Sequence, residues 1–400
     1  MATAVAVLLL LSAPVGPAAS KQNAAADRVV EFSRGLGIDF DEKNQKSEHP
    51  DPADVAAFTR AGFGAWLDAQ ITNDSDEIAA PPAALQEFLH DRRDAVWNVV
   101  SALEKNAPEW DATVDQEGMN PRLLPTIRLA KMILALALVE ERGKNRIDGG
   151  RALEASWSLG RSLASDSNLL SQILSVAIEK LQAGVLRKVK DAPLQWQSRL
   201  ATDGPWNRML EAVAHEGRYG DKLSGVEAAM FEEVAAKAFV ALSDALRKVG
   251  PCELSTMSDD DIWKPAAQVL SAETSAEKRE IRDMYGQIAL PGLANPLRRA
   301  ARVEVDRELT LKLLQLRLEK ESSRDRRWPA ELTESWSMVC PGVAYAYRAD
   351  RDGVDIRFEG SVDTPSSGPV LPLEFRSGKA RIVVSKPTPA PEPTPTPEAP

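Results

Sequence analysis

Histidine is almost missing from this chain. Among 400 residues only His49, His90 and His215 occur. They are far apart in sequence, and "HEGRY" at His215 lacks the second histidine, four residues on, that a zinc-protease helix needs. All three read as surface or core histidines, so no metal site is expected. Glycine-rich phosphate loops and the Gly-x-Ser-x-Gly nucleophile elbow are missing as well, which removes the usual motifs for nucleotide binding and acyl transfer. No cofactor is expected. Basic charge is also short: the net charge of -10 and pI near 5.1 argue against a nucleic-acid partner, which needs a concentrated cationic surface. Past the N-terminus, long apolar runs are lacking too. The best, Met132 to Val139, is bounded by Lys131 and Glu140 and falls far below the ~20 residues of a bilayer span.

What is present at the start is an apolar run from Ala4 to Ala13, then Pro14 and Gly16, then small residues. Residues 1–26 read as a secretory signal or N-terminal apolar segment, with cleavage after Ser20 (Ala18 at −3) or after Ala26. The segment departs from that pattern in one respect, since no Lys or Arg precedes Lys21. An uncleaved anchor is the alternative. Residues 27–50 are polar and acidic and read as a solvated linker. Asp39, Asp41 and Glu42 within it lack the central Gly and terminal Glu of a calcium loop.

From Asp51 to Ser322 the apolar spacing is helical, with 44% hydrophobic and 27% charged residues supporting a substantial core. Asp51 is placed to cap a helix that opens on Pro52. Leu85, Phe88, Leu89, Val96, Val99, Val100 and Leu103 recur at three- and four-residue spacing. The Leu/Ala helix around "RLAKMILALALVEER" is expected to break at Gly143 and resume at Ala152. This pair of helices resembles one tetratricopeptide hairpin, although no second copy follows at that period. Later, Gly250-Pro251 ends a helix, Ser258 to Asp261 supply caps, and a long last helix starts near Pro291. Leu309, Leu313, Leu316 and Leu318 are expected to form its buried face.

After Trp328 the period changes to two. "GVAYAYRA", "GVDIRFEG", "VLPLEFRS" and "KARIVVS" alternate and are separated by turn residues, Asp352-Gly353 above all. Residues 323–385 therefore read as a small antiparallel sheet of three or four strands packed on the last long helix of a mainly α body, 51–322. At the junction, Arg324, Arg326 and Arg327 suit a helix C-terminus, Pro329 forbids its continuation, and Trp328 is available as a plug beneath the turn. A long helix, then Arg327-Trp328-Pro329 with Leu332, then short strands resembles the C-terminal half of type II secretion pseudopilins. Because the helix is internal and no prepilin leader precedes it, filament assembly is not implied. The chain as a whole also resembles large exported helical bacterial proteins of unknown function, a likeness that implies no activity. Residues 386–400, with "PTPAPEPTPTPEAP", read as an extended proline-rich tail about 40 Å long at ~3.1 Å per residue.

Two chemistries stay open. Cys252 and Cys340 are the only cysteines; in an exported protein an even pair reads as a disulfide that would clamp sheet to body, the alternative being two separate buried thiols. Among 59 Asp and Glu a carboxylate pair for glycan hydrolysis could exist, but no pair can be singled out and no catalytic residue named. Trp66, Trp97 and Trp157 lie on apolar helix faces and read as core rather than as a sugar platform. The expectation is an exported, periplasmic or envelope protein that works as a helical scaffold or protein-binding module without catalysis, its partner another envelope protein. The alternative is a glycan-directed envelope hydrolase.

Overall fold

The structure is a computed structural model that describes residues 24–40, 48–110, 123–202, 204–216, 226–272, 290–350, 353–362 and 369–378. It is mainly helical and ends in a three-stranded antiparallel sheet. In chain order the helices are α1 (Ala24–Arg34), α2 (Pro52–Ala61), α3 (Phe63–Ile71), α4 (Ala83–Asp91), α5 (Arg93–Lys105), α6 (Leu123–Arg142), α7 (Arg146–Ala164), α8 (Leu169–Lys188), α9 (Gln195–Ala201), α10 (Pro205–Glu216), α11 (Val226–Val249), α12 (Pro251–Thr256), α13 (Asp259–Ala272) and α14 (Leu290–Ser322). The strands are β1 (Tyr345–Ala349), β2 (Val354–Phe358) and β3 (Glu374–Ser377).

Local signals set most boundaries. The Asp51 carboxylate accepts from Ala53 N at 2.7 Å, with Pro52 in the first turn of α2, and Gly62 ends that helix at φ 64°. Ser258 Oγ accepts from Asp261 N at 3.2 Å ahead of α13. The α6–α7 hairpin corrects one expectation: the second helix resumes at Arg146, not Ala152. Gly149 and Gly150 look like a break in sequence, but a Cβ on Gly149 would sit 3.5 Å from the Ala137 carbonyl oxygen. That is ordinary van der Waals contact, and the packing of α7 on α6 outweighs the poor helix propensity of the two glycines.

A second correction concerns residues 27–50. Their first part is no solvated linker: α1 packs on α5, and Val29, Leu36, Ile38 and Phe40 are at most 1% exposed in the main core. Four apolar residues spaced along a short polar stretch were enough to be recruited. His49 pairs with Asp39 at 2.8 Å on the surface, while Asp41 and Glu42 lie outside the described residues, as do residues 1–23 and the tail. A third correction concerns α8, which is long and apolar enough to cross a membrane by length and composition, although 72% of that stretch is buried inside the protein.

Three apolar cores share one element. The largest gathers α1 to α9, with the α6–α7–α8 stack at its centre and Trp66 inside it. A second joins the start of α8 to α10, α11, α13 and the first half of α14. The third lies between the second half of α14 and the sheet. Its strands run β1-β2-β3, with Tyr347 opposite Ile356 and Ile356 opposite Phe375. Tyr345, Val354, Ile356, Phe358 and Phe375 point inward onto Val305, Leu309, Leu313 and Leu316. Leu318, expected on that buried face, is 43% exposed. Both sheet edges are covered: Ser337 N and Tyr345 N tie β1 to a strap through Trp336, and Arg376 N donates to Asp74 O at 2.7 Å beyond β3. The expected fourth strand, 379–385, lies outside the described residues.

Trp328 is 8% exposed in the third core, Lys320 Nζ lies 4.3 Å from its ring centroid, and the Tyr347 hydroxyl donates to Pro329 O at 2.8 Å. The junction is thus a packed turn. Trp328→Ala is expected to lower unfolding free energy by about 3 kcal/mol through the cavity it leaves. Unchanged melting of the variant would contradict this packing.

Candidate functional site

Helix α14 contributes residues to all three cores, and charges along its length are therefore carried into the interior. Arg302, Asp306, Arg307, Glu308, Lys312 and Arg317 are all less than 9% exposed. Leaving such groups unpaired would cost several kcal/mol each, so each needs partners. The partners are mostly main-chain carbonyls at the last turns of helices and in irregular segments, where no regular structure satisfies them.

Arg302 donates from Nη1 to Val362 O at 3.2 Å and from Nη2 to Leu371 O at 2.7 Å, gripping the segment between β2 and β3 at both ends. Arg187, on α8, reaches across to the same region: Nη1 donates to Pro372 O at 2.6 Å, Nε to Thr310 Oγ1 at 2.9 Å, and Nη2 pairs with Asp306 Oδ1 at 3.2 Å. Arg317 caps the C-terminal end of α8, donating to Leu186 O, Arg187 O and Val189 O between 2.5 and 3.0 Å. Arg307 pairs with Glu179 and donates to the carbonyls of Arg199, Leu200 and Thr202 at the end of α9. Lys312 Nζ donates to Glu334 O at 2.7 Å and Glu308 accepts from Ser337 Oγ, Met338 N and Tyr345 Oη, which together fix the strap ahead of β1. Lys188 donates to Asn73 O at 2.9 Å and to Ser75 O, holding the loop that covers β3.

Burial sets the electrostatics. Desolvation lowers the Arg317 guanidinium to about 10 and the Lys188 amine to about 8, the latter against the pull of Asp76 and Asp74. Desolvation also raises Glu304, whose carboxylate accepts from Trp206 N at 2.8 Å. Tyr345 rises for the same reason, with Glu308 adding to it. These are the marks of a structural charge lattice, which perturbs proton affinities as an active site does.

The residues singled out in the sequence fall around this lattice. Cys252 on α12 and Cys340 on the strap form a disulfide with Cα atoms 5.4 Å apart, fastening the sheet side to the second core. His90 and His215 lie on separate helices, α4 and α10. Among the described residues no cluster of three His, Cys, Asp or Glu could hold a metal ion. Trp97 and Trp157 are partly buried against the main core, as their positions implied. A shallow depression of about 370 Å³ is lined by Glu319, Arg324, Asp325, Arg327, Trp328 and Pro329. It places two carboxylates beside a tryptophan, but that ring is buried and covered by Lys320, so it offers no face on which a sugar could stack.

The lattice itself was missed in the sequence. Its one signal is that Leu309, Leu311, Leu313, Leu314, Leu316 and Leu318 step around the whole helix, which implies burial of the residues between them. Comparison with protein-family models, curated proteins and solved structures finds no match to this chain.

Two outcomes test the lattice. Arg187→Met leaves fully buried Asp306 with Arg302 Nε, at 3.5 Å, in place of two cationic partners and is expected to cost about 3 kcal/mol. The double variant with Asp306→Leu should recover part of it, and equal loss in both would contradict the pairing. Lys188 generates a pH signature. Its lowered folded pKa means that between about 8 and the ordinary 10.5 the folded state has released a proton that the unfolded chain keeps. Stability of the natural chain relative to Lys188→Met should therefore rise with pH across that interval, by on the order of 2 kcal/mol. A flat difference in chemical denaturation would contradict it.

Proposed function

We propose that this chain is an exported envelope protein that works as a disulfide-clamped helical scaffold, binding another envelope protein without catalysis. The observation that carries the reading is the Cys252–Cys340 disulfide, which joins α12 to the strap ahead of β1 and includes a cysteine only 1% exposed. Such a bond persists in an oxidising compartment and is rare where thiols are kept reduced. The buried charges support the non-catalytic part: their hydrogen-bonding capacity goes largely to main-chain carbonyls of this same chain, so they act as fasteners. The proline-rich segment 386–400 supplies either a spacer or a contact for the partner.

The test is chemical cross-linking of the full chain in intact envelopes, beside a chain stopped after residue 385. A single partner recovered in stoichiometric amount from the envelope fraction is expected. A chain that fractionates with the cytosol, or stays uncross-linked in the envelope, contradicts the scaffold reading.

A further inference from the structure

The geometry points to a docking surface on the strap ahead of β1, where Trp336 and Met338 receive a basic, amphipathic segment of a partner protein. This gives the binding reading above a place and a partner chemistry, and it rests on that reading. The strap alternates as a strand does. Ser337 turns inward, 6% exposed, where its Oγ donates to Glu308 and accepts from Cys340 N at 2.9 Å. Its two neighbours therefore turn outward together, Trp336 63% and Met338 81% exposed. Among the described residues seven large apolar side chains are exposed; Trp336 is the one aromatic and Met338 the most exposed of them. Single exposed apolar residues are ordinary, but these two share one face of a fixed segment. Ser337 N donates to Val343 O at 2.9 Å, Tyr345 N to Ser335 O at 2.7 Å, and Lys312 Nζ to Glu334 O and Trp336 O at 2.7 and 3.3 Å. Cys340 is bonded to Cys252. None of these bonds uses the side chain of Trp336 or Met338, and the backbone that presents them is ordered before any partner arrives.

Charge selects the occupant. Between Trp328 and Tyr347 the chain holds two glutamates, Glu331 and Glu334, and no Lys, Arg or His. Both glutamates are exposed, as is Glu253 next to the bonded Cys252. Beside Trp336 a depression of about 150 Å³ lies between α14 and the strap, bounded by Leu316 and Leu332 and by the exposed carboxylates of Glu319 and Glu334. That is on the scale of a cavity that holds one benzene ring, so it admits one apolar side chain. Lys312 lines the same depression but is buried, faces Glu308 at 3.9 Å and spends its protons on strap carbonyls. The nearest run of cations in the chain, Arg324, Arg326 and Arg327, lies before Trp328, at the end of α14. An acidic rim around Trp and Met fits a segment that carries Lys or Arg around apolar anchors: the charges steer the encounter and the apolar contacts retain it. The same carboxylates disfavour an anionic lipid surface, and they repel the same face on a second copy.

The probe is a synthetic amphipathic helical peptide of Leu and Lys, titrated into the full chain by calorimetry beside a Leu/Glu peptide of the same pattern. The Leu/Lys peptide is expected to bind, more weakly as salt rises, and the Leu/Glu peptide to give no binding heat. Trp336→Ser with Met338→Ser alters only exposed side chains, so melting should be unchanged while binding weakens roughly tenfold or more. Glu331→Lys with Glu334→Lys should reverse the preference between the two peptides. No binding of the Leu/Lys peptide, or equal binding by the natural chain and the double-serine variant, overturns the surface. A dimer of the natural chain that the double-serine variant dissolves, or binding to anionic vesicles that it abolishes, also overturns it, since either gives the face another occupant. Cross-linking in intact envelopes separates this surface from the reading it rests on. A partner captured equally by the natural chain and the double-serine variant overturns the surface and leaves the scaffold standing, whereas a natural chain that binds the peptide but captures no partner contradicts the scaffold reading alone.

Discussion

A helix that carries charge into three cores has to find partners for it, and α14 obtains them from the segments packed around it. Asp306 is fully buried and Arg302, Arg307, Lys312 and Arg317 nearly so. Each cation would be strongly destabilising alone, and each becomes tolerable only when carbonyls or carboxylates come to it. The groups that come are the loose ends of the fold: the end of α8, the end of α9, the strap before β1, and both ends of the β2–β3 connection. Arginine suits the task because its planar fork reaches several carbonyls at once. Replacing such a lattice by apolar residues could raise stability. What the lattice does here is tie each of these segments to a particular donor on α8 or α14.

The small sheet depends on this. Three short strands have too little surface to be stable alone. They gain stability from the apolar face of α14, from the Cys252–Cys340 bond, and from Arg302 and Arg187 holding the chain next to Leu371 and Pro372. At Gly184 on α8 a Cβ would come within 3 Å of both Ile71 and Leu371, so α3, α8 and the segment before β3 meet there at close contact. Helical body and sheet are therefore continuous in packing, although the sequence changes period sharply between them.

Much of the fold was legible because local physics set it. The Asp51-Pro52 start, the Gly250 stop, the alternation in β1 to β3 and the plug at Trp328 all follow from residue type and spacing, whereas the stop at Gly62 was not read. What failed did so where tertiary packing outweighed local preference. Gly149 and Gly150 continue a helix whose Gly149 face packs on α6, and residues 27–40 join the core although their composition is that of a linker. The pairing of Cys252 with Cys340 matches the even count of cysteines. The charge lattice was the least legible feature. A run such as "RVEVDRELTLK" reads as a solvated face unless the leucines that follow it are seen to fall on more than one side of the helix.

The claim that buried guanidinium groups hold the sheet in place is tested most directly by native-state hydrogen exchange on an Arg302→Leu variant. The account predicts faster exchange confined to residues 353–377 and the strap through Trp336, with the amides of α6 and α7 as protected as in the natural chain. Uniformly faster exchange throughout, or no change in the sheet, would contradict it.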